Sequence, residues 1–181
     1  MNLARNLERS ALFFPHHPVV IDGEDTVTYA QMERRAGRLA AGMAALGLGA
    51  GDRVALCAPN SAQWLYVYFA VLKLGAVAVT LSHQLTPQEL RLLAGHARPR
   101  AVYAHPAHHP TLQSMRDQAG IRWIIGPGGD RELEELAAGG SGPLTALERE
   151  RGDLACVLYT GGTTGTPKGV MLSHENICTA I

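Results

Sequence analysis

The segment from Val54 to Thr80 reads VALCAPNSAQWLYVYFAVLKLGAVAVT and changes character twice along its length. Its first residues form a short apolar run, which is typical of a buried strand. Ser61 then has the side chain of a helix N-cap, and the apolar stretch after it extends to Gly75, a residue common where helices end. Ala76–Thr80 is a second short apolar run. The segment therefore predicts a strand, a helix and a strand in succession.

The same alternation continues on both sides of this segment. Thr28 and Gln31 have the capping-box spacing of a helix start, and Thr86 and Glu89 repeat it downstream. Further strands are predicted over 100–104, 121–125 and 154–159, and further helices over 111–119 and 131–138. Apolar strands without a period of two are typical of parallel sheets covered on both faces. We therefore predict an α/β fold with an open, mostly parallel sheet flanked by helices.

Composition excludes several classes of function. The 181 residues are 46% hydrophobic and 18% charged, with a formal net charge of zero, so a globular protein is predicted and no basic surface for nucleic acid. Cys57, Cys156 and Cys178 form no CxxC pair, which favours a reducing, cytoplasmic setting. The longest apolar run, Trp64–Leu72, is far shorter than the roughly 20 residues of a transmembrane helix. Peripheral membrane contact and the oligomeric state stay open.

A segment rich in glycine and threonine follows the last of the predicted parallel strands, because Thr160–Gly169 reads TGGTTGTPKG. Glycines let the backbone approach a ligand, and successive N–H groups form a concave anion site. The threonines add hydroxyl donors, and Lys168 adds a positive charge. Only Lys168 and Lys73 are lysines among the 16 basic residues. We interpret the segment as a phosphate-binding loop, since a merely flexible loop does not account for the threonines and the lysine.

The loop differs from the common nucleotide-binding P-loop. That motif requires a glycine directly before the lysine and a helix that begins at the lysine. Pro167 stands before Lys168, and Gly169–Ser173 reads GVMLS, which predicts a strand. The loop is therefore predicted to join two strands, with the next helix beginning only after Ser173. A P-loop kinase or NTPase is disfavoured.

The stretch Tyr159–Val170, YTGGTTGTPKGV, closely resembles the phosphate-loop signature of the adenylate-forming enzymes. These include acyl-CoA synthetases, the adenylation domains of peptide synthetases, and luciferase. Their pattern is aromatic-Thr-Ser-Gly-Thr-Thr-Gly-x-Pro-Lys-Gly-Val. Gly161 departs from it, because the family usually has serine there, so one hydroxyl donor is lost while the backbone N–H remains.

The resemblance extends over roughly residues 10 to 181. Asn60-Ser61, Trp64 and Gly75–Val77 stand where the family has them, whereas Ser82-His83 replaces its usual Asn-Pro. We interpret Trp64 as a core residue rather than a ligand contact. His174 and Glu175 also match the family, although capping and packing explain them equally well.

The resemblance implies an ATP-dependent acyl-CoA synthetase for a fatty or related carboxylic acid. The carboxylate attacks the α-phosphate of ATP to give acyl-AMP and pyrophosphate, and coenzyme A then takes the acyl group. Lys168 would stabilise the leaving pyrophosphate. Mg²⁺ is also implied, with ligands outside this chain. The residues implied to bind ATP are Thr160, Gly161, Gly162, Thr163, Thr164, Gly165 and Lys168.

Other signatures of the family, for Mg²⁺, for the ribose and for a late catalytic lysine, do not occur in the sequence. The resemblance thus implies that residues 1–181 are the N-terminal subdomain of an adenylate-forming enzyme, a truncated part of its large AMP-binding domain. It also implies a phosphate loop at 159–170 and a C-terminal domain that these residues do not include. The chain alone is expected to be inactive.

Two other functions stay open on the sequence alone. An amino-acid-activating adenylation domain would carry the same loop, and a non-catalytic module would use the fold to bind a nucleotide or a partner. The segment HPAHHP, with His105, His108 and His109, offers imidazole groups for a metal. No Cys, Asp or Glu stands at ligand spacing beside them, so an unliganded surface loop is favoured.

Overall fold

The computed structural model describes residues 1–160 and 168–180, and of Thr160 it describes the backbone. The helices are α1 (Ala4–Phe13), α2 (Tyr29–Ala45), α3 (Ala62–Lys73), α4 (Pro87–Ala97), α5 (His109–Ser114), α6 (Arg116–Ala119), α7 (Leu133–Gly139) and α8 (His174–Thr179). The strands are β1 (Pro18–Asp22), β2 (Asp25–Thr28), β3 (Arg53–Cys57), β4 (Val77–Thr80), β5 (Ala101–Ala104), β6 (Trp123–Ile125), β7 (Leu154–Thr160) and β8 (Lys168–Ser173).

The central sheet confirms the predicted fold class. Its strand order is β6-β5-β3-β4-β7-β8, and β1 and β2 form a separate antiparallel hairpin. The first five strands in that order are mutually parallel. Only β8 runs antiparallel, paired with β7. The antiparallel pair is the one that flanks the predicted phosphate loop.

The two faces of the sheet have separate apolar cores. Val54 and Leu56 of β3 pack in one core with α2, α3 and α7. Ala55 and Cys57, which alternate with them, pack in the other with α4, α5 and α6. Burial on both faces explains why the strands are apolar throughout. The prediction of helices on both faces is therefore confirmed.

The predicted caps begin the helices as expected. Thr28 and Thr86 each form a capping box, with Gln31 and Glu89 respectively. Ser61 caps α3 by accepting a hydrogen bond from the Trp64 N–H at 3.2 Å. These caps satisfy N–H groups that a helix start leaves without internal partners. Local side-chain chemistry thus fixes the starts of the three long helices around β3 and β4.

Some predicted boundaries are wrong. The helix predicted over 111–119 is two short helices, because the backbone leaves helical angles at Met115 (φ −114°, ψ 6°). The helix predicted over 131–138 begins at Leu133, after an isolated bridge between Arg131 and Ile125. The strand predicted over 121–125 is shorter, beginning at Trp123. Helix α1 had no sequence prediction.

A buried ionic cluster joins α1 to the middle of the fold. Lys73, at the end of α3, is fully buried, and its ammonium lies 2.7 Å from Glu8 and 2.6 Å from Glu33. Glu8 Oε1 also accepts a hydrogen bond from the Ala146 N–H at 2.6 Å. The side chains of Glu8 and Glu33 are 23% and 22% exposed. The cluster thus links α1, α2, α3 and the segment before β7 through charge-assisted hydrogen bonds.

Candidate phosphate-binding site

The carboxyl ends of the parallel strands meet at one edge of the sheet, where the predicted loop begins. β3 ends at Cys57, β4 at Thr80 and β7 at Thr160. A cleft of about 470 Å³ lies at this edge, with Asn60 and Trp64 among its lining residues. Ligands of open α/β sheets bind beyond the carboxyl ends of the strands. The strand order therefore supports the position predicted for the site.

The residues predicted to bind phosphate fall into two groups. Thr160 and Lys168 are direct partners in the β7–β8 pairing, and Lys168 is exposed. The others lie outside the described residues: Gly161, Gly162, Thr163, Thr164 and Gly165. The two ends of the predicted loop thus stand on neighbouring antiparallel strands. The contacts of each residue with phosphate stay predictions.

The segment after Lys168 forms a strand and then a helix, as predicted. β8 extends to Ser173, and α8 begins at His174. Ser173 Oγ accepts a hydrogen bond from the Asn176 N–H at 3.1 Å, and Asn176 Oδ1 accepts one from the Ser173 N–H at 3.0 Å. Because no helix begins at Lys168, no helix dipole acts there. The geometry differs from a P-loop in this respect.

Neighbouring residues at the ends of the loop face opposite sides of the sheet. Val157 and Tyr159 pack in the core on the α4 face of the sheet, whereas Cys156 packs in the core on the α3 face. Gly169 is the cross-strand partner of Tyr159 and shares its face. Lys168, one residue away, therefore has its side chain on the α3 face. Trp64 packs on that face, whereas the cleft also reaches Leu81 and Tyr159, which pack on the α4 face.

Tyr159 makes a contact that the sequence did not indicate. Its hydroxyl oxygen lies 2.5 Å from Nδ1 of His96, in the last turn of α4, and the two rings meet edge to face with centroids 5.8 Å apart. Burial raises the pKa of the Tyr159 phenol, while the charge of Arg53 acts in the opposite direction. The pair is 63 residues apart in sequence, so no local spacing could have revealed it.

Trp64 has the packing expected of a core residue and also contributes to the cleft. It is partly buried against the α2–α3 core, and its ring stacks on Tyr68 with centroids 5.4 Å apart and planes 12° apart. It also lines the cleft near Leu158, the side chain of which is partly exposed. Trp64 thus packs against the core as interpreted, and the absence of a ligand contact stays a prediction.

The histidine-rich segment is more ordered than predicted. Pro106–His108 forms a 3-10 helix, with His105 exposed and His108 only 8% exposed. Nε2 of His108 lies 2.8 Å from the carbonyl oxygen of His83. The prediction of a surface loop is therefore wrong for His108. This contact holds the turn at Ser82-His83 in place, where the sequence departs from the family pattern.

His174 and Glu175 are the first two residues of α8, and both make contacts within the fold. His174 is fully buried, and its Nδ1 accepts a hydrogen bond from the Leu3 N–H at 3.1 Å. Burial lowers the pKa of His174, and the charge of Arg149 acts in the same direction. Glu175 forms an exposed ion pair with Arg151 at 3.2 Å. Packing thus accounts for His174, as one of the two interpretations had it.

Within residues 1–160 and 168–180, no group of three or more His, Cys, Asp or Glu side chains has the arrangement to hold a metal ion. In the same part of the chain, none of the helices combines the length and the apolar character needed to cross a bilayer.

Comparison with known proteins gives consistent matches along the chain. The family model described as AMP-binding enzyme matches residues 7–181. A long-chain-fatty-acid–CoA ligase of Thermus thermophilus is 36% identical over 185 residues, which cover 97% of this chain and 34% of the ligase. A feruloyl-CoA synthase of an Amycolatopsis species is 36% identical over 169 residues, which cover 93% of this chain and 33% of the synthase.

A solved structure agrees with these matches. Apo MatB from Rhodopseudomonas palustris superposes with a TM-score of 0.87 at 34% identity, covering 99% of this chain and 36% of that structure. The chain thus spans about a third of the length of the relatives that it matches. Because the family model covers nearly all of the sequence, the chain belongs to the family of AMP-binding enzymes.

Proposed function

We propose that the chain provides the phosphate-binding part of an AMP-forming acyl-CoA synthetase. The reaction joins a carboxylate to ATP, giving acyl-AMP and pyrophosphate, and then transfers the acyl group to coenzyme A. The observation that carries the proposal is the sequence Thr160–Gly169, which connects β7 and β8 at the carboxyl edge of the sheet in a chain of this family. The matched relatives are named as a CoA ligase and a CoA synthase, which favours coenzyme A as the acyl acceptor over a carrier protein.

Lys168 has the central role in the proposed mechanism. Charge on the phosphate oxygens redistributes toward the leaving pyrophosphate during attack at the α-phosphate, so fixed cations and N–H donors lower the barrier. Lys168 is exposed at the start of β8, the edge strand of the sheet, and pairs with Thr160 at the end of β7. The backbone N–H groups and hydroxyls of Thr160–Gly165 complete the proposed phosphate site.

The substrate is proposed as a fatty or related carboxylic acid. The Thermus relative is named for long-chain fatty acids and the Amycolatopsis relative for feruloyl-CoA, so both aliphatic and aromatic acids belong in the first test panel. Mg²⁺ is proposed to accompany ATP. Its ligands are proposed to lie outside residues 1–181.

The compartment and the domain assignment are part of the same proposal. Cys57, Cys156 and Cys178 are free thiols, which supports a reducing cytoplasmic setting. Residues 1–181 are proposed as the N-terminal subdomain, with the loop at 159–170. Catalysis is therefore proposed for a polypeptide that carries this sequence together with the remaining two thirds of its relatives' length.

The test is a pyrophosphate-release assay on that longer polypeptide with fatty and aromatic acids. Lys168→Ala is expected to slow adenylation by about 100- to 1,000-fold, the effect typical of removing one donor from a developing oxyanion. Arg91→Ala, which removes an exposed charge from α4, is the matched control and should leave the rate unchanged. Acyl-adenylate formation with no acid would overturn the proposal, and an unchanged rate for Lys168→Ala would remove Lys168 from the mechanism.

A further inference from the structure

We propose that His96 is a positioning residue for the phosphate site, acting through the hydroxyl of Tyr159 on the β7–β8 pair that carries Lys168. The inference rests on the proposed function, because it concerns how the same site is held in place. His96 itself belongs to α4, on the face of the sheet opposite α3, and it is not among the residues that line the cleft. Its effect on ATP is therefore indirect.

The first step of the argument is the fixed position of His96. Helix α4 starts at a complete capping box with a proline in its first turn, and its apolar side packs against the sheet. Leu90, Leu93, Ala94 and Ala97 are the buried residues of that side. His96 stands one residue before the end of this anchored helix. The backbone of His96 is thus held in place, and its exposed imidazole reaches Tyr159 near the end of β7.

The second step is the contact between the rings. Nδ1 of His96 and the hydroxyl oxygen of Tyr159 are 2.5 Å apart, and the rings are nearly perpendicular at 86°. Because burial raises the pKa of the Tyr159 phenol, the hydroxyl is protonated near neutral pH. In the imidazole tautomer that carries its hydrogen on Nε2, Nδ1 accepts a hydrogen bond from this hydroxyl. The bond fixes the direction of the Tyr159 ring.

The third step is the position of the ring over β8. Tyr159 and Gly169 are cross-strand partners. A Cβ built on Gly169 would lie 3.4 Å from two ring atoms of Tyr159 and 3.1 Å from Cγ1 of Val157. The ring therefore lies within van der Waals contact of the space that a Cβ at position 169 would take. The aromatic ring thus lies against the strand that begins with Lys168.

Together these contacts form a connection from a rigid helix to the phosphate site. His96 holds the Tyr159 hydroxyl, the Tyr159 ring covers Gly169, and Gly169 is bonded to Lys168. Without the hydrogen bond, the ring gains rotational freedom and the end of the β7–β8 pair loses its lateral support. A site in which a lysine must meet phosphate oxygens is sensitive to displacements of this kind.

The test uses the longer polypeptide proposed above, with four variants: His96→Ala, Tyr159→Phe, both together, and His96→Asn. Tyr159→Phe keeps the ring over Gly169 and removes only the hydroxyl. His96→Asn is the rescue variant, because its amide oxygen branches from Cγ as Nδ1 does and accepts the same bond. The KM for ATP, the KM for the acid and kcat of adenylation are measured for each variant.

His96→Ala and Tyr159→Phe are each expected to raise the KM for ATP by about 2- to 10-fold, which corresponds to the loss of one hydrogen bond. The double variant should be no worse than either single variant, because both remove the same bond. The KM for the acid should not change, and His96→Asn should restore much of the KM for ATP. Wild-type KM values in His96→Ala, additive effects, or equal rises for ATP and acid would each overturn the inference.

Hydrogen exchange supplies a readout that does not depend on activity. His96→Ala and Tyr159→Phe should speed exchange of backbone amides at 157–160 and 168–171, whereas His96→Asn should not. If the wild-type polypeptide forms no acyl-adenylate, the proposed function fails, and faster exchange would still support the contact between His96 and Tyr159. Unchanged exchange in both variants would overturn the positioning role by itself.

Discussion

Replacement of Lys73 by methionine should destabilise the chain strongly, although Lys73 lies far from the proposed phosphate site. Methionine has nearly the length of lysine, so the change removes the ammonium and leaves little cavity. Glu8 and Glu33 would then lose a partner at 2.7 and 2.6 Å, and each keeps only about a fifth of its side-chain surface exposed. Removing one partner of a buried ion pair costs about 3–5 kcal/mol of stability. Because the carboxylates keep some exposure to solvent, we expect a loss at the lower end of this range. We expect a loss of about 3 kcal/mol at neutral pH.

The loss should depend on pH with a defined sign. Burial raises the pKa of Glu33 above 4.5. The hydrogen bond and the charge of Lys73 lower this pKa, whereas the charge of Glu8 raises it. A carboxyl group whose pKa is raised by folding stabilises the fold at low pH, and that contribution is lost as pH rises through the folded pKa. Without Lys73 the pKa of Glu33 rises more. The deficit of Lys73→Met should therefore shrink when the pH falls from about 7 toward 4.5.

Urea denaturation followed by tryptophan fluorescence measures this deficit at pH 7 and pH 5. Arg151→Met is the matched control, because it breaks an ion pair with Glu175 in which the two side chains are 75% and 43% exposed. Such an exposed pair contributes less than about 1 kcal/mol. A Lys73→Met loss no larger than that of Arg151→Met would refute the reasoning, and so would a deficit that grows as the pH falls.

Three further changes have definite expected outcomes. Gly42→Ala should cost about 3 kcal/mol in chemical denaturation, because a Cβ there would overlap the carbonyl group of Leu136 and force α7 away from α2. Ser61→Ala should cost about 1 kcal/mol in the same assay, since it removes the N-cap of α3. His174→Asn keeps an acceptor for the Leu3 N–H but does not titrate. Because folding lowers the pKa of His174, its contribution is present above 6.5 and is lost as pH falls, so melting temperatures at pH 7.5 and 5.5 should differ less in the variant than in the wild type.

The class of fold followed from the sequence because its signals are local. A run such as Val54–Ala58 is apolar throughout since both of its faces are covered, and that pattern survives without knowledge of its neighbours. Capping residues act over three positions, so Thr28, Ser61 and Thr86 marked the helix starts that the structure has. The strand after Lys168 was predicted from its apolar residues in the same way.

The arrangement of the site depends on contacts between residues far apart in sequence, which no local sequence pattern reveals. Strand β7 follows β6 in sequence but lies beside β4 in the sheet, and this position brings Leu158 next to Thr80. The contact between His96 and Tyr159 depends on the same placement. Nothing in the spacing of these residues distinguishes the observed strand order from its alternatives. The loop could be recognised from its composition, whereas its supports could not.

Helix α1 shows most simply why contacts between distant residues escape prediction from the sequence. Its N-cap position is Leu3, which makes no side-chain cap hydrogen bond, and its first turn has no acidic residue, so the local signal is limited to Asn2, whose Oδ1 accepts a hydrogen bond from the Ala4 N–H at 2.9 Å. The start is also fixed by distant residues. Asn2 donates to the carbonyl oxygens of Leu72 at 2.7 Å and Leu147 at 2.9 Å, and the Leu3 N–H donates to His174. A helix whose start depends on contacts 70 to 171 residues away is only weakly marked in the local sequence, and its order should be lost when those contacts are removed.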